Sequence, residues 1–196
     1  EAAQSNILAM MCLRYVSFRT VWQWYCGESK QTVGHFLDYA AGSWYRHANM
    51  SKPGGGDLVR FTNAFFNESN LQWHSWAKWF DLSHEKRNKG ESEKETTTAS
   101  PLYYASRLCL SETVTFLIRE QTCNINKVTS SGTSALAASC IEGNAQIAAI
   151  LLEAGADTTS VNHEGWTPLF SASLRGHIGV VRLLLEKGAD IMAATN

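Results

Sequence analysis

The chain has 196 residues, 44% hydrophobic and 11% aromatic, enough to bury the core of one medium domain or two small ones. Charged residues make up 18% and the net charge is −1, which excludes a disordered composition and the basic excess that nucleic-acid binding calls for. No run reaches the roughly 18 to 20 apolar residues that cross a bilayer.

Glu1-Ala2-Ala3-Gln4 has neither the basic nor the apolar region of a signal peptide. Five cysteines, an odd number, then predict free thiols in a reducing, intracellular setting, and the cytoplasm is expected. In chain order, Ile7, Leu8, Met11, Leu13, Tyr15, Val16 and Phe18 predict a first helix. A short strand is expected over Val21 to Tyr25. Val33, Phe36, Leu37, Ala40, Ala41 and Trp44 recur at the spacing of one helix face. Pro53-Gly54-Gly55-Gly56 breaks the chain, and Leu58, Phe61, Phe65 and Phe66 predict a third helix. Trp73, Trp76 and Phe80 line one side of a fourth. Trp79 falls off that line and is expected as an exposed anchor for another surface.

From His84 to Thr98 there is no large apolar residue, only mixed charge and then a Thr run. Such a stretch buries nothing and predicts a flexible linker. The expected organisation is a helical domain over 1–83, a linker over 84–98 and a repeat array over 99–196.

The repeat shows at a fixed period. Gly132 and Gly165, Leu136 and Leu169, Gly143 and Gly176, Leu151 and Leu184, Gly155 and Gly188, and Asp157 and Asp190 are each 33 residues apart. A weaker copy precedes them at offset 34, pairing Leu102 with Leu136 and Leu117 with Leu151, and it lacks the turn glycines. The units fall at 99–128, 129–161 and 162–194. Thr167 is placed to cap a helix opening at Pro168, where a missing N–H costs nothing. Gly176 and Gly188 each end a helix in the left-handed region. Ile178, Val181, Leu184 and Leu185 are expected to face the core, with Val180 and Leu183 on an exposed end that awaits a further unit.

The phrase Gly165-Trp166-Thr167-Pro168-Leu169-Phe170-Ser171-Ala172, followed by Gly176-His177 and Gly188-Ala189-Asp190, resembles the ankyrin repeat. Phe170 stands where that family has His, and the second copy reads Ser134-Ala135 at the Thr-Pro step. The resemblance implies an all-α fold, a helical N-terminal block followed by an α-solenoid of about three units. It also implies protein partners held by the turn tips and the concave face. By position these are Ser130, Ser131, Thr133, Ile141 and Glu142 in the second unit. In the third they are His163, Glu164, Trp166, Leu174 and Arg175. His177 is implied to hydrogen-bond a neighbouring loop.

Two further phrases, Cys12 to Phe18 and Phe36 to Ala48, resemble the helical region after the NACHT domain in fungal STAND (NLR-like) NACHT-ankyrin proteins. That resemblance implies a C-terminal portion of such a signalling or scaffold protein. An upstream NTPase domain and further ankyrin repeats would then belong to the parent chain.

Residue types speak against chemistry in this chain. Gly54-Gly55-Gly56-Asp57-Leu58 has neither the Lys nor the hydroxyl of a phosphate loop. The six His and five Cys make no C-x-x-C or H-E-x-x-H spacing. Cys12, Cys109 and Cys140 sit among apolar neighbours and read as small core side chains. The Trp73-to-Phe80 cluster has only Lys78 within it, too little charge for a nucleic-acid platform. No catalytic residue, cofactor or metal is therefore expected, no membrane or nucleic-acid partner, and no enzyme. Two alternatives stay open: a ligand-binding or enzymatic domain in the aromatic half, built around Trp44, Trp73, His47 and His74, or an inactive fragment of a larger protein.

Overall fold

The structure, a computed structural model, describes residues 2–25, 34–50, 56–67, 69–85, 99–121 and 123–192. Every regular element among them is a helix, in two compact units, Glu1–Thr98 and Ala99–Asn196. The first unit carries α1 (Ala2–Val16), α2 (Arg19–Tyr25), α3 (Gly34–Met50), α4 (Gly56–Phe65) and α5 (Leu71–Glu85). The second carries α6 (Pro101–Arg107), α7 (Ser111–Arg119), α8 (Ala135–Glu142), α9 (Ala145–Glu153), α10 (Pro168–Leu174) and α11 (Ile178–Glu186). Helix α5 runs on through His84 and Glu85, and the expected linker from Lys86 to Thr98 lies outside the described residues. So do Cys26, Val33 and the break at Pro53 to Gly55.

The first unit is built on indoles. Trp44 of α3 is fully buried, and Phe65, Phe66 and Trp76 pack on it, mostly edge to face, with centroids about 6 Å away. Such ring pairs each add about 0.5–1.5 kcal/mol beyond the area they bury. Two indole N–H groups tie α5 to α3: Trp76 donates to the Ala41 carbonyl at 2.9 Å and Trp79 to the Asp38 carboxylate at 3.0 Å. Trp22 of α2 donates to the Val16 carbonyl at the end of α1. Trp44 is held by packing, and its N–H meets no acceptor among the described residues.

Two expectations are corrected here. Val21 to Tyr25 is helical, not a strand, because the Ser17–Phe18 turn swings α2 back so that Trp22 reaches the end of α1. Trp79 is buried, at 6% exposure, not an exposed anchor. The helix face that α5 buries is wide enough to take both the Trp73–Trp76–Phe80 line and its neighbour, and Trp79 lies against Gly42 of α3.

The second unit repeats one design three times. Ser100, Ser134 and Thr167 each accept a hydrogen bond from the backbone N–H three residues on, capping α6, α8 and α10. Ser134 therefore does the work of the Thr it replaces. Gly143, Gly176, Gly155 and Gly188 all lie in the left-handed region, as expected of helix stops. The degenerate first unit keeps that backbone without glycine: Cys109 (φ 61°) stands where Gly143 and Gly176 stand, and Gln121 (φ 52°) where Gly155 and Gly188 stand. The inner helices stack as α6 on α8 on α10, and the outer ones as α7 on α9 on α11.

The phase expected for α11 is partly wrong. Leu184 is buried and Val181 half-buried, but Ile178 is 73% and Leu185 40% exposed. Val180, expected at the open end, is buried, and Leu183 is half-buried. Val180 and Leu184, four apart, form the buried line of α11, which packs on both α9 and α10, so only Leu184 and the half-buried Val181 are shared with the line that apolar spacing alone picks out.

Candidate functional site

The turns that precede α8 and α10 have the same internal wiring. In the first, Gly132 N–H donates to the Thr129 carbonyl and Thr129 N–H to the Thr133 carbonyl. In the second, Gly165 N–H donates to the Asn162 carbonyl and Asn162 N–H to the Trp166 carbonyl. A polar side chain anchors each turn. Thr129 Oγ1 accepts from the Thr133 and Ser131 N–H groups, and Asn162 Oδ1 from Glu164 and Trp166. One backbone bond, His163 N–H to the Ser131 carbonyl at 2.9 Å, fixes the spacing of neighbouring tips. A backbone-to-side-chain bond ties the loops behind them, Asp157 N–H to Asn126 Oδ1. Asn124, Asp157 and Asp190 all accept from the N–H two residues on, which holds each loop by the same side-chain turn.

Gly132 shows why the tips need glycine. Its φ is +79°, and a Cβ there would sit 3.0 Å from the Asn162 Cα and 3.2 Å from the His163 N.

The sequence-predicted residues are therefore presented on a rigid frame. Ser130, Ser131, Glu142, His163, Glu164, Leu174 and Arg175 are exposed, and Ile141 and Trp166 are half-buried. Thr133 is buried, and its hydroxyl meets that of Ser131 at 3.1 Å, so its side chain serves the turn. In the third unit Trp166, Phe170 and Leu174 follow at intervals of four on one side of α10. The Trp166 and Phe170 rings meet at 5.5 Å, tilted by 46°. Phe170 was missed as a surface residue. Its spacing from Trp166 and Leu174 was the available signal, overshadowed by reading it as a replaced His.

His177 performs the structural task expected of it. Its Nε2 donates to the Ile141 carbonyl at 3.0 Å, closing the exposed end of α8 in the preceding unit. The ring lies over Gly143, where a Cβ would come within 2.5–2.8 Å of it.

The groups suggested for a site in the aromatic half do not converge. Trp44 and Trp73 are in the core, His74 stacks on Trp73 at 5.8 Å, and His47 Nε2 meets the Tyr39 hydroxyl at 2.9 Å. A groove of about 500 Å³ between α1 and α3 is lined by Ala2, Gln4, Ser5, Leu8, His47 and Met50 and carries no convergent charge. Among the described residues no three of His, Cys, Asp and Glu come together as a metal site would require. Nor is any described helix long and apolar enough to cross a membrane. Cys12, Cys109 and Cys140 are free thiols, and Cys123 Sγ donates to the Leu117 carbonyl at 3.6 Å. Burial pushes the Cys140 thiol up to about 12 and that of Cys12 upward, which keeps both as inert packing groups. Cys109, expected in the core, is half-buried because it occupies the left-handed turn; burial raises its thiol too, against a hydrogen bond with Asn144 that lowers it.

A family model of ankyrin repeats (3 copies) matches residues 102–195. Among solved structures, the crystal structure of the human ASB11 ankyrin repeat domain is similar at 38% identity, covering 46% of this chain and 41% of that one, with a TM-score of 0.44. No curated protein matches the sequence.

Proposed function

We propose, from the ankyrin repeats over residues 102–195, that this chain is a protein–protein interaction module whose contact surface is the turn tips and the inner helices of the second and third units. The observation that carries this reading is the cross-linked turn frame. A backbone bond between units positions Ser131 and His163, the Asn162 side chain positions Glu164, and caps at Ser134 and Thr167 position Ile141, Glu142, Leu174 and Arg175. A surface whose backbone is fixed spends little entropy on binding. Trp166 and Arg175 are the residue types that most often dominate such interfaces.

The chemistry required is recognition alone. Trp166 and Leu174 supply apolar area, while Glu142, Glu164 and Arg175 supply charges of both signs along the rim. The finer reading is that the module is the C-terminal portion of a NACHT-ankyrin signalling or scaffold protein with an upstream NTPase domain. What supports it is the likeness of Cys12–Phe18 and Phe36–Ala48 to that family, together with the placement of most of both phrases on α1 and α3, which pack on each other.

The test is photo-crosslinking in the cells that make the protein, with the reactive side chain placed at Leu174 or at Arg182 on the outer helix. Crosslinks to a defined partner from position 174 and none from 182 support the reading. In the purified pair, Trp166→Ala or Arg175→Ala should weaken binding by roughly tenfold or more, as interface anchors do. Equal crosslinking from both faces would overturn it.

A further inference from the structure

Helix α1 is apolar on every side. Ala9, Cys12, Leu13 and Val16 are buried, while Ile7, Leu8, Met11 and Phe18 are exposed, Met11 at 59%. A helix apolar all round is ordinarily covered all round. The exposed residues are not scattered. Gln4, Leu8, Met11 and Tyr15 follow at intervals of four and three along one side of α1. Phe36, Tyr39, Ser43, His47 and Met50 follow at the same intervals along α3, with Met50 67% exposed. Two contacts set the rows side by side and antiparallel. The Tyr15 and Phe36 rings meet edge to face at 4.7 Å, and at the other end Gln4, Ser5 and Leu8 share the groove with His47 and Met50. Such spacing on two neighbouring helices leaves a seam into which a third helix can set its own row. The charge around this seam has one sign. Among the described residues α1 has no carboxylate, and the one on α3, Asp38, accepts from Trp79 of α5. Exposed Arg14 and Arg46 stand at the two margins. Arg14 lies over the Phe61 ring on the α4 side of α1, 5.6 Å away. Arg46 lies over Tyr45 at 5.8 Å and, seven after Tyr39 and four before Met50, shares their side of α3.

We propose that the α1–α3 groove is a docking site for an amphipathic helix of a partner protein, one with an apolar stripe and acidic flanks. The two rows receive the stripe as anchors three and four residues apart. Gln4 to Tyr15 spans about 17 Å, so the occupant engages the groove over about three turns. Met11 and Met50, unbranched and polarizable, adapt to the side chains it brings. Arg14 and Arg46 then meet carboxylates on its opposite flanks, which fixes its placement and rejects a basic helix. An anionic bilayer is held by clusters of about four or more cations, more than the described margins supply. The site is separate from the turn tips of the repeats and does not depend on what they bind.

The experiment uses the full chain and a fluorescent synthetic helix of about 15 residues, with leucine at heptad positions a and d and glutamate at e and g. A control peptide carries lysine in place of each glutamate. Binding is read by fluorescence anisotropy. The glutamate peptide should bind about tenfold more tightly than the lysine peptide, and added salt should narrow the difference. Met11→Gln should weaken its binding by about fivefold or more. Arg14→Glu combined with Arg46→Glu should reverse the preference between the peptides, and Trp166→Ala should leave it unchanged. Met11, Arg14 and Arg46 are exposed, so these variants should keep the urea midpoint of the parent chain. Failure of the glutamate peptide to bind, equal binding of the two peptides, or binding that survives Met11→Gln overturns the proposal. So does sedimentation of the free chain as a dimer that Met11→Gln dissociates, because a second copy then owns the groove. Binding to phosphatidylserine vesicles that the glutamate peptide does not displace overturns it in favour of a lipid surface.

Discussion

Gly143 and Gly176 occupy equivalent left-handed positions, with φ of +74° and +73°, and differ in what lies above them. That makes Gly143→Ala and Gly176→Ala a matched pair. Each forces an L side chain into the left-handed region, at a cost of about 1–2 kcal/mol. Only at position 143 does the new Cβ land 2.5 Å from Nδ1 and 2.6 Å from Cε1 of His177. The ring must then leave, and its hydrogen bond to Ile141 is lost, about 0.5–1.5 kcal/mol. A further fraction of a kcal/mol goes with the ring's dispersion contacts. The expected loss is therefore about 2–4 kcal/mol for Gly143→Ala and about 1–2 kcal/mol for Gly176→Ala. Native-state hydrogen exchange against urea, read on α8 to α11, isolates this unit from the aromatic one. His177→Ala should remove the difference when combined with each glycine variant, giving a coupling of about 1–2 kcal/mol with position 143 and none with 176. Equal losses at the two glycines, or coupling of His177 to neither, would refute the claim that the ring is what position 143 must accommodate.

Gln121→Gly should stabilise the chain by about 0.5–1 kcal/mol, because it relieves a left-handed non-glycine at an exposed turn and returns part of the gain as unfolded-state entropy; a lower urea midpoint would contradict this. Trp79→Phe keeps the ring against Gly42 but removes the donor to Asp38, and should cost about 1 kcal/mol, with Asp38→Ala adding nothing further in the double variant. Thr167→Ala should cost about 1 kcal/mol through the lost cap and leave the N-terminal unit's near-ultraviolet spectrum intact. Cys140 should not react with a thiol reagent at pH 8 until the array unfolds. Its folded value lies above the ordinary 9.0, so the stability it contributes is complete below pH 9 and falls as pH climbs toward about 12. A Cys140→Ala variant should lose less stability over that pH range, and an equally steep fall would remove Cys140 as its source.

Much of the array was legible because its design is local. A cap is one side chain and an N–H three residues on, so Thr167 could be read directly, as could Gly176 and Gly188 as left-handed stops. Repetition at a period of 33 then supplied the stacking, since a unit too thin to bury its own apolar side must bury it on a copy. The positions proposed for a partner were taken from the same register, and the Thr133 side chain is committed to its turn.

What the sequence left undetermined depends on contacts between distant residues. Apolar spacing on α11 allows two neighbouring lines, and only packing against α9 and α10 buries Val180 and Leu184 rather than Ile178 and Leu185. Trp79 looked surplus on its own helix, and only α3, offering Gly42 and the Asp38 carboxylate, makes a place for it in the core. Cys109 and Gln121 read as missing glycines, yet the stack imposes the glycine backbone on them regardless. The sequence by itself determined the repeat, the helices within its second and third units and the caps and glycines that end them. The tertiary structure decided which faces are buried, because burial belongs to pairs of surfaces rather than to single segments.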